Sequence, residues 1–318
     1  MSCKIVFLDE DTIPGIVDMT PLRSLAGYTA FPTTPADRII ENCRDAEIVI
    51  TNKIPIKADT IAQLPALRLI CVAATGMNNI DLEAAKSAGI KVVNAGNYSS
   101  HAVAELTLCY ALALYRQIMY YNDYVQSGRY AQSAHFSNSD RDAFELFGKK
   151  WGIIGLGDIG RTVAGIASAF GCDVAYYSTS GQHDDPDYKR VELEQLLNEA
   201  DIVSVHAPLS RKTYHMLDYH QFSLMKPSAI VINVARGSLI NEDGLARAIN
   251  DGLIAGAAVD VYSAEPIKTD NPLNFINDKH KIITTPHIGW STKESLQRLV
   301  DTVAGNIRDY IEKTQETD

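Results

Sequence analysis

Apolar runs of strand length alternate with helix-like segments along the first part of the chain. Helical spacing is found in Pro35–Asn42 and Leu82–Ser87. The apolar runs are Lys4–Leu8, Glu47–Thr51, Leu67–Ala73 and Lys91–Asn94. Because parallel strands are joined by crossover connections that are usually helical, this alternation predicts a parallel α/β sheet.

The same alternation starts again in the middle of the chain. The second set of predicted strands is Trp151–Gly155, Val174–Ser178, Ile202–His206, Ala229–Val234, Ile254–Asp260 and Ile282–Thr285. A pattern that restarts predicts a second sheet of the same kind.

Two further helical patterns flank the second sheet. The first runs from about Ser100 to Asn122 and is followed by an irregular polar stretch, residues 127–142. We expect it to connect the two sheets and to carry an arm. The second covers residues 292–313, and its apolar residues at helical spacing are Leu296, Leu299, Val300, Val303 and Ile307. We expect this last helix to return to the first domain.

Length and composition fit a globular protein of two domains. A chain of 318 residues exceeds one small core, and 46% hydrophobic and 21% charged residues are ordinary values for folded domains. The net charge of −10 argues against nucleic acid or an anionic membrane as partner, because both require a positive surface. An acidic small substrate would need a local cationic pocket.

The termini, cysteines and apolar segments indicate a cytoplasmic protein. The chain begins with a strand pattern and without the basic leader of a signal peptide. Its five cysteines are scattered and form no Cys-x-x-Cys pair, so we expect core thiols in a reducing compartment. The most apolar segment, His101–Tyr115, contains Glu105 and is too short to cross a bilayer.

A glycine-rich turn follows the first strand of the second sheet. Gly155, Gly157 and Gly160 form a G-x-G-x-x-G array between an apolar strand and a helical pattern. An ordinary strand-to-helix turn is the alternative, but the lengths of the strand, turn, helix and next strand favour dinucleotide binding. The pyrophosphate would then lie at the amino terminus of the helix.

The position that selects between NAD and NADP is ambiguous. The fingerprint expects a carboxylate at the end of the second strand to bind the adenosine ribose, and Ser178 stands there. Serine neither binds the 2′-hydroxyl strongly nor repels a 2′-phosphate, and no arginine follows nearby in the sequence. We therefore expect NAD, with NADP left open.

Three ionisable residues follow later strands of the same sheet. Arg236 ends an apolar strand, where its planar fork suits a substrate carboxylate, the alternative being a structural salt bridge. His287 follows another strand and can give or take a proton near neutrality. Glu265 would fix the tautomer of that imidazole and favour its protonated form. Because ligands bind at the carboxyl ends of parallel strands, all three are expected in one crevice.

With these motifs the chain resembles the D-isomer-specific 2-hydroxyacid dehydrogenase family, and is most similar to its glycerate dehydrogenase and hydroxypyruvate reductase members. The resemblance covers nearly the whole chain. Its segments are Val72–Asp81, the glycine turn, Val203–Leu209, Asn233–Gly237, Val259–Pro266 and Thr285–Ile288.

This resemblance implies a fold, a partner and a reaction. The fold would be α/β, with two doubly wound parallel-sheet, Rossmann-like domains and a cleft between them. Residues 1–100 with 288–318 would form the substrate domain and residues 101–287 the dinucleotide-binding domain. A helix and arm at about 101–147 would form a homodimer. The reaction would transfer a hydride between the nicotinamide cofactor and a small D-2-hydroxy or 2-keto acid.

The resemblance also assigns roles to individual residues. His287 would be the acid and base, Glu265 its orienting partner, and Arg236 the clamp on the substrate carboxylate. The backbone of Ala74, Thr75 and Gly76 would hold the same carboxylate. Asp260 would face the nicotinamide amide, and the other cofactor contacts would be Gly155, Gly157, Asp158, Ile159, Gly160, Ser178, His206, Ala207, Pro208, Val234 and Ala235. The sequence contains neither a His-Glu-x-x-His nor a Gly-x-Ser-x-Gly motif, so we expect no metal and no serine nucleophile.

Several alternatives stay open on the sequence. Corepressor-like proteins resemble this family while acting through partners, but the chain has no extended partner-binding tail. Related folds oxidise formate or phosphite, and Glu265 argues against formate dehydrogenase, whose members lack that glutamate. Phosphoglycerate dehydrogenase is also possible, although many members carry an added domain. The keto acid itself depends on loops around Met77, Tyr98 and Trp290.

Overall fold

The computed structural model describes residues 3–182 and 184–315. Its strands are β1 (Ile5–Phe7), β2 (Tyr28–Ala30), β3 (Ile48–Thr51), β4 (Leu69–Val72), β5 (Lys91–Asn94), β6 (Lys150–Ile154), β7 (Asp173–Tyr177), β8 (Lys189–Arg190), β9 (Ile202–Val205), β10 (Ile230–Asn233), β11 (Gly256–Val259) and β12 (Ile282–Thr284). Its α-helices are α1 (Thr20–Arg23), α2 (Ile39–Cys43), α3 (Ala58–Ala62), α4 (Leu82–Ser87), α5 (Ser100–Tyr115), α6 (Ile118–Gln126), α7 (Asp158–Ala169), α8 (Leu193–Glu199), α9 (Tyr219–Ser223), α10 (Glu242–Asn250) and α11 (Lys293–Gln315).

The chain forms two compact units. Met1–Ser99 with Ser291–Asp318 make up the terminal unit, and Ser100–Trp290 make up the central unit. Each unit is built on its own parallel sheet with flanking helices, so the α/β class expected from the alternating pattern is confirmed.

The terminal unit has a five-stranded parallel sheet in the order β2-β1-β3-β4-β5. The strands are apolar on both sides because helices cover both faces of the sheet, as parallel sheets require. One face packs on residues of α2–α4, including Ile39 and Ile61. On the other side α11 packs against α1 and β4. The stripe predicted for α11 is buried at Leu296, Leu299, Val300, Val303 and Ile307.

The central unit has a seven-stranded parallel sheet in the order β12-β11-β10-β9-β6-β7-β8. One face forms a core with α5 and α7 around Trp151 and Tyr110. The opposite face forms a second core with α8–α10 around Phe222 and Leu245. The sheet is extended from β6 in both directions, with β7 and β8 on one side and β9–β12 on the other. The glycine turn follows β6, at the point where the direction changes.

The structure differs from the sequence expectations at short or polar elements. Two edge strands, β2 and β8, were not predicted, because β2 is only half-buried and β8 consists of a lysine and an arginine. The helix expected at 100–122 is two helices, since Gln117 has φ 53° and separates α5 from α6. Cys109 is exposed, so the expectation of core thiols is wrong there. Within the described residues, no helix combines the length and apolar character needed to cross a bilayer.

Candidate active site

The glycine turn joins β6 to α7 at the carboxyl edge of the seven-stranded sheet. Gly155 has φ 91°, a conformation that L side chains rarely adopt, and a Cβ there would lie 2.9 Å from the backbone of Ala207. A Cβ on Gly160 would clash with the carbonyl oxygen of Gly155. Both glycines are therefore required by close packing of the strand, the turn and the helix, as the dinucleotide fingerprint predicts.

The middle glycine of the array meets open space. A Cβ on Gly157 would have no described atom within 4 Å. This residue is the N-cap of the 12-residue helix α7, and no side chain caps the helix there. Asp158 is exposed at the first helical position, while Ile159 packs on the core. An uncapped amino terminus beside a glycine leaves room and N–H donors for an anionic group, so these residues fit a dinucleotide pyrophosphate.

The loop after β7 contains Ser178, the residue expected to face the adenosine ribose. The Ser178 hydroxyl accepts a hydrogen bond from the backbone N–H of Gly181 at 3.2 Å. Arg190 lies on the neighbouring strand β8, and its Nη2 atom would lie 3.5 Å from a Cβ on Gly181. It pairs with the exposed carboxylate of Asp184 at 2.9 Å. The sequence shows no arginine close after Ser178, but the pairing of β8 with β7 brings one to this loop.

His206 follows β9 next to the glycine turn. Its Nε2 atom lies 3.0 Å from the hydroxyl of Ser204, which also accepts a hydrogen bond from the indole of Trp151 at 2.9 Å. Its Nδ1 atom is shielded from solvent and has no partner among the described residues. Burial lowers the pKa of His206 to about 3, so the ring is neutral at physiological pH. Ala207 and Pro208 continue from it along the sheet edge.

Arg236 is exposed just after β10. Asn233 shapes this segment, because its side chain accepts from the N–H of Ala235 and donates to the carbonyl of Arg236. The guanidinium donates to the carbonyl oxygen of Ala235 at 2.6 Å and forms no ion pair with a described residue. Val234, the residue before Ala235, is buried. The alternative of a structural salt bridge at Arg236 thus has no partner in the described part of the chain.

Glu265 and His287 are brought together from segments that follow β11 and β12. Glu265 Oε2 lies 2.8 Å from His287 Nδ1, and Oε1 accepts the backbone N–H of Tyr262 at 3.1 Å. Because the carboxylate faces Nδ1, it fixes the orientation of the ring and leaves Nε2 as the atom able to meet a ligand. Among the described residues, Nε2 makes no hydrogen bond, and the two side chains are 30% and 38% exposed.

The backbone of His287 has φ 55°, an uncommon value for a residue other than glycine. Asp260, at the end of β11, is 1% exposed and accepts three hydrogen bonds from the segment that carries His287. Its donors are the hydroxyl of Thr285 and the backbone N–H groups of Ile288 and Gly289, the last two at 2.8 Å. Asp260 therefore holds the turn on both sides of His287.

The predicted substrate loop lies at the carboxyl edge of the sheet in the terminal unit. Ala74, Thr75 and Gly76 follow β4. The Thr75 carbonyl accepts from the amide of Asn94 at 2.6 Å, and the Thr75 hydroxyl donates to the carbonyl of Gly96 at 2.7 Å. The ends of β4 and β5 are thus tied together, which fixes the backbone of this loop.

Sequence reasoning missed several residues that shape the central site. No role was predicted for Thr285 or Tyr110, because Tyr110 hydrogen-bonds to Thr285 from 175 positions away in the chain. Tyr262 donates from its hydroxyl to the carbonyl of Thr285 at 3.0 Å. Burial raises the pKa of Tyr262 to about 12, which keeps this donor protonated. Arg190 depended on an edge strand that was not predicted.

Comparison with known proteins identifies the family. Residues 108–289 match the domain described as "D-isomer specific 2-hydroxyacid dehydrogenase, NAD binding domain". The chain is 37% identical to a glycerate dehydrogenase of Methylorubrum extorquens over 312 residues, covering 98% of this chain and 97% of that protein. It is 35% identical to a hydroxypyruvate reductase of Blautia hydrogenotrophica over 314 residues, covering 97% of each.

A solved structure gives the same result. The D-lactate dehydrogenase of Aquifex aeolicus, complexed with NAD and lactic acid, superposes with a TM-score of 0.82 at 27% identity, covering 98% of this chain and 97% of that chain. The matched NAD-binding domain contains the glycine turn, Arg236, Glu265 and His287. The chain therefore belongs to the D-isomer-specific 2-hydroxyacid dehydrogenase family.

Proposed function

We propose that this protein is a glycerate dehydrogenase, or hydroxypyruvate reductase, that interconverts a D-2-hydroxy acid and its 2-keto acid. The observation that carries the proposal is the 2.8 Å contact between Glu265 and His287 Nδ1, which leaves the imidazole Nε2 for a substrate oxygen. The similarity to a glycerate dehydrogenase and a hydroxypyruvate reductase over nearly the full chain supports the choice of substrate.

His287 acts as the acid and base. In the reductive direction its Nε2–H donates to the carbonyl oxygen of the keto acid and then gives that oxygen its proton. In oxidation the neutral ring takes the proton back from the alcohol. The Glu265 carboxylate binds Nδ1 at 2.8 Å and keeps Nε2 aimed at the substrate. Proton transfer of this kind contributes about 10²–10⁴-fold to the rate.

Arg236 binds the substrate carboxylate. Its guanidinium is exposed at the end of β10 and has no ion-pair partner among the described residues, so its planar donors are available to a carboxylate. In a protein of net charge −10, this cation supplies the local positive field that an acidic substrate needs. The backbone of residues 74–76 in the terminal unit is proposed as a further substrate contact.

The central unit holds the cofactor. Gly155, Gly157 and Gly160 with the amino terminus of α7 fit the pyrophosphate, and residues 206–208 and 234–235 with Asp260 are the other proposed contacts. A nicotinamide held by these residues would supply or accept the hydride at the 2-carbon of the substrate. The terminal unit, which corresponds closely to residues 1–100 with 288–318, is proposed to be the substrate domain.

We also propose a homodimer formed through the helix and arm at about 101–147. Large apolar side chains are exposed there, and monomeric proteins rarely leave many of them together in water. They are Ile118, Met119, Val125, Tyr130, Phe136 and Phe147, of which Phe136 is 92% exposed. Sedimentation equilibrium should give twice the chain mass, and a monomer at micromolar concentration would contradict the proposal.

Steady-state kinetics with a panel of keto acids test the proposed reaction. Hydroxypyruvate, glyoxylate, pyruvate and phosphohydroxypyruvate are each assayed with NADH and with NADPH. We expect hydroxypyruvate to give the highest kcat/KM and to yield the D-isomer of glycerate. No turnover of any keto acid would favour a corepressor-like binding protein, and a preference for the phosphorylated acid would favour a phosphoglycerate dehydrogenase.

We propose that NADH and NADPH are both accepted, because Ser178 replaces a carboxylate and Arg190 lies beside the same loop. Ser178→Asp should raise the preference for NADH, mainly through a higher KM for NADPH, because a carboxylate repels the 2′-phosphate. The matched control is Ser168→Asp, at the exposed carboxyl-terminal end of α7, which should leave the ratio unchanged. An unchanged ratio of kcat/KM in Ser178→Asp would show that this residue does not face the ribose.

A further inference from the structure

A chain of hydrogen bonds runs from helix α5 to the turn that carries His287. The hydroxyl of Tyr110 contacts the hydroxyl of Thr285, and Thr285 in turn donates to Asp260 Oδ1. A carboxylate only accepts, so the single hydroxyl proton of Thr285 is committed to Asp260. Tyr110 must therefore be the donor to Thr285, and the direction of the whole chain is fixed.

Tyr110 is well suited to this donor role. Its side chain is 3% exposed, and burial raises the pKa of its phenol well above the ordinary value, so the hydroxyl keeps its proton. Helix α5 packs against β11 and β12, the strands that precede Asp260 and Thr285. These hydrogen bonds therefore link three elements of the central unit, from the buried Tyr110 through the half-buried Thr285 to the buried Asp260.

At its Asp260 end, this series of hydrogen bonds holds a backbone conformation that is otherwise unfavourable. His287 has φ 55°, and its own N–H donates to the carbonyl of Thr285 at 3.0 Å. Such a conformation persists only where neighbouring contacts impose it. Asp260 imposes it by binding Thr285 before His287, and the N–H groups of Ile288 and Gly289 after it.

We propose that Tyr110 is a positioning residue for His287, because its hydroxyl anchors the Thr285–Asp260 pair that sets the turn and hence the angle of the imidazole. The proposal rests on the proposed acid–base role of His287. Tyr110 contacts neither substrate nor cofactor in this scheme. Loss of its hydroxyl releases Thr285 from α5, and the ring then samples orientations in which Nε2 misses the carbonyl oxygen.

Tyr110→Phe tests the proposal, with Tyr115→Phe as the matched control. Both tyrosines are 3% exposed on α5, but the Tyr115 hydroxyl donates to the carbonyl of Asp201 at 3.0 Å, away from the His287 turn. We expect Tyr110→Phe to lower kcat about tenfold while both KM values change less than about twofold. Tyr115→Phe should keep the parent kcat. Equal kcat values in the two variants would overturn the proposal.

Two further variants test the middle of the chain. Thr285→Val removes the hydroxyl that joins Tyr110 to Asp260, and Thr285→Ser restores it. We expect Thr285→Val to lose kcat as Tyr110→Phe does, and Thr285→Ser to recover most of that loss. Equal loss in both would overturn the proposal, because a purely steric role of Thr285 would be sufficient.

A readout without turnover separates this proposal from the proposed function. In protein labelled with ¹⁵N-histidine, the ring resonances of His287 report its hydrogen bond to Glu265 in the absence of substrate. Tyr110→Phe should move these resonances and Tyr115→Phe should not. If the parent reduces no keto acid, the proposed function fails while this comparison still tests the positioning role. Unmoved resonances in Tyr110→Phe would overturn that role.

Discussion

The carboxyl edges of the two sheets are built from different chemistry. In the terminal unit, the strand ends are joined by neutral amides and by one buried carboxylate, Asp9. Its oxygens accept the backbone N–H groups of Asn52, Lys53 and Ile54 at 2.7–3.2 Å. Asn79 adds a hydrogen bond to the carbonyl of Ile54 at 3.1 Å. These polar groups hydrogen-bond to the backbone of the loops and hold the loops in place.

In the central unit the corresponding edge carries ionisable side chains that are available for ion pairs or hydrogen bonds with a ligand. Arg236 has no ion-pair partner among the described residues, and the Nε2 atom of His287 makes no hydrogen bond with them. Asp260 resembles Asp9, because both are buried carboxylates that bind backbone N–H groups. The two edges thus share a way of fixing loops. Within residues 3–182 and 184–315, the central edge is the one that holds a histidine paired with a carboxylate, a pair suited to proton transfer.

The largest expected effect comes from removing the unpaired cation of the central edge. Arg236→Gln should leave the substrate carboxylate without a charged partner, and a loss of about 2–5 kcal/mol is expected where the bound substrate and cofactor exclude water from that pair. That cost corresponds to a loss of kcat/KM between about 30-fold and several thousand-fold. Cofactor affinity and the thermal midpoint should change little, since Arg236 holds no other side chain in place.

Arg247→Gln is the control for this prediction. Arg247 lies on α10 of the same unit, and its guanidinium packs over the ring of Tyr219 at 4.3 Å. The substitution removes the same charge from the protein but should leave kcat/KM for the keto acid within about twofold. Equal losses in the two variants would mean that net charge, and not a local contact at Arg236, attracts the substrate.

A smaller effect is expected at the terminal edge, and on stability. In Asp9→Asn the new NH₂ group cannot accept a hydrogen bond, so one buried N–H of residues 52–54 loses its partner at a cost of about 1–3 kcal/mol. Urea unfolding should show this loss, and calorimetry should show unchanged cofactor affinity. Asp45→Asn is the control, because Asp45 is an exposed partner of Lys4. A weaker cofactor affinity in Asp9→Asn would contradict the conclusion that the terminal edge serves stability and the central edge binds the cofactor.

The sequence predicted the parts of this comparison that depend on local pattern. The strand Lys91–Asn94 and the helix Leu82–Ser87 have the predicted bounds, because apolar periodicity is a local signal. The glycine array was recognised because its conformation and close packing demand glycine at Gly155 and Gly160.

What the sequence could not predict depends on residues that only the fold brings together. Arg190 reaches the Ser178 loop through strand β8, whose two residues carry no apolar signal. Tyr110 reaches Thr285 across 175 positions in the chain. The apolar helical pattern at about 100–122 predicts a helix that is largely buried, but it does not show which polar group the hydroxyl of Tyr110 meets.

The smallest predicted effect concerns His206. This residue is an ionisable group of the central edge whose protonation changes the free energy of unfolding. Burial lowers its pKa from 6.5 to about 3 in the folded protein, so folding favours the neutral ring. This contribution is fully present above pH 6.5 and is lost as the pH falls toward 3. Between pH 7 and pH 5 the loss should be about 1–2 kcal/mol.

The variant His206→Asn isolates this contribution from the other titrating groups. Asparagine has no charge to suppress, so the stability advantage of the parent over the variant should shrink by about 1–2 kcal/mol between pH 7 and pH 5. Urea unfolding of both proteins at the two pH values measures the difference. His220→Asn, on the exposed side of α9, is the control and should show no such change. A parent-to-variant difference that stays constant with pH would show that His206 is solvated in the folded state.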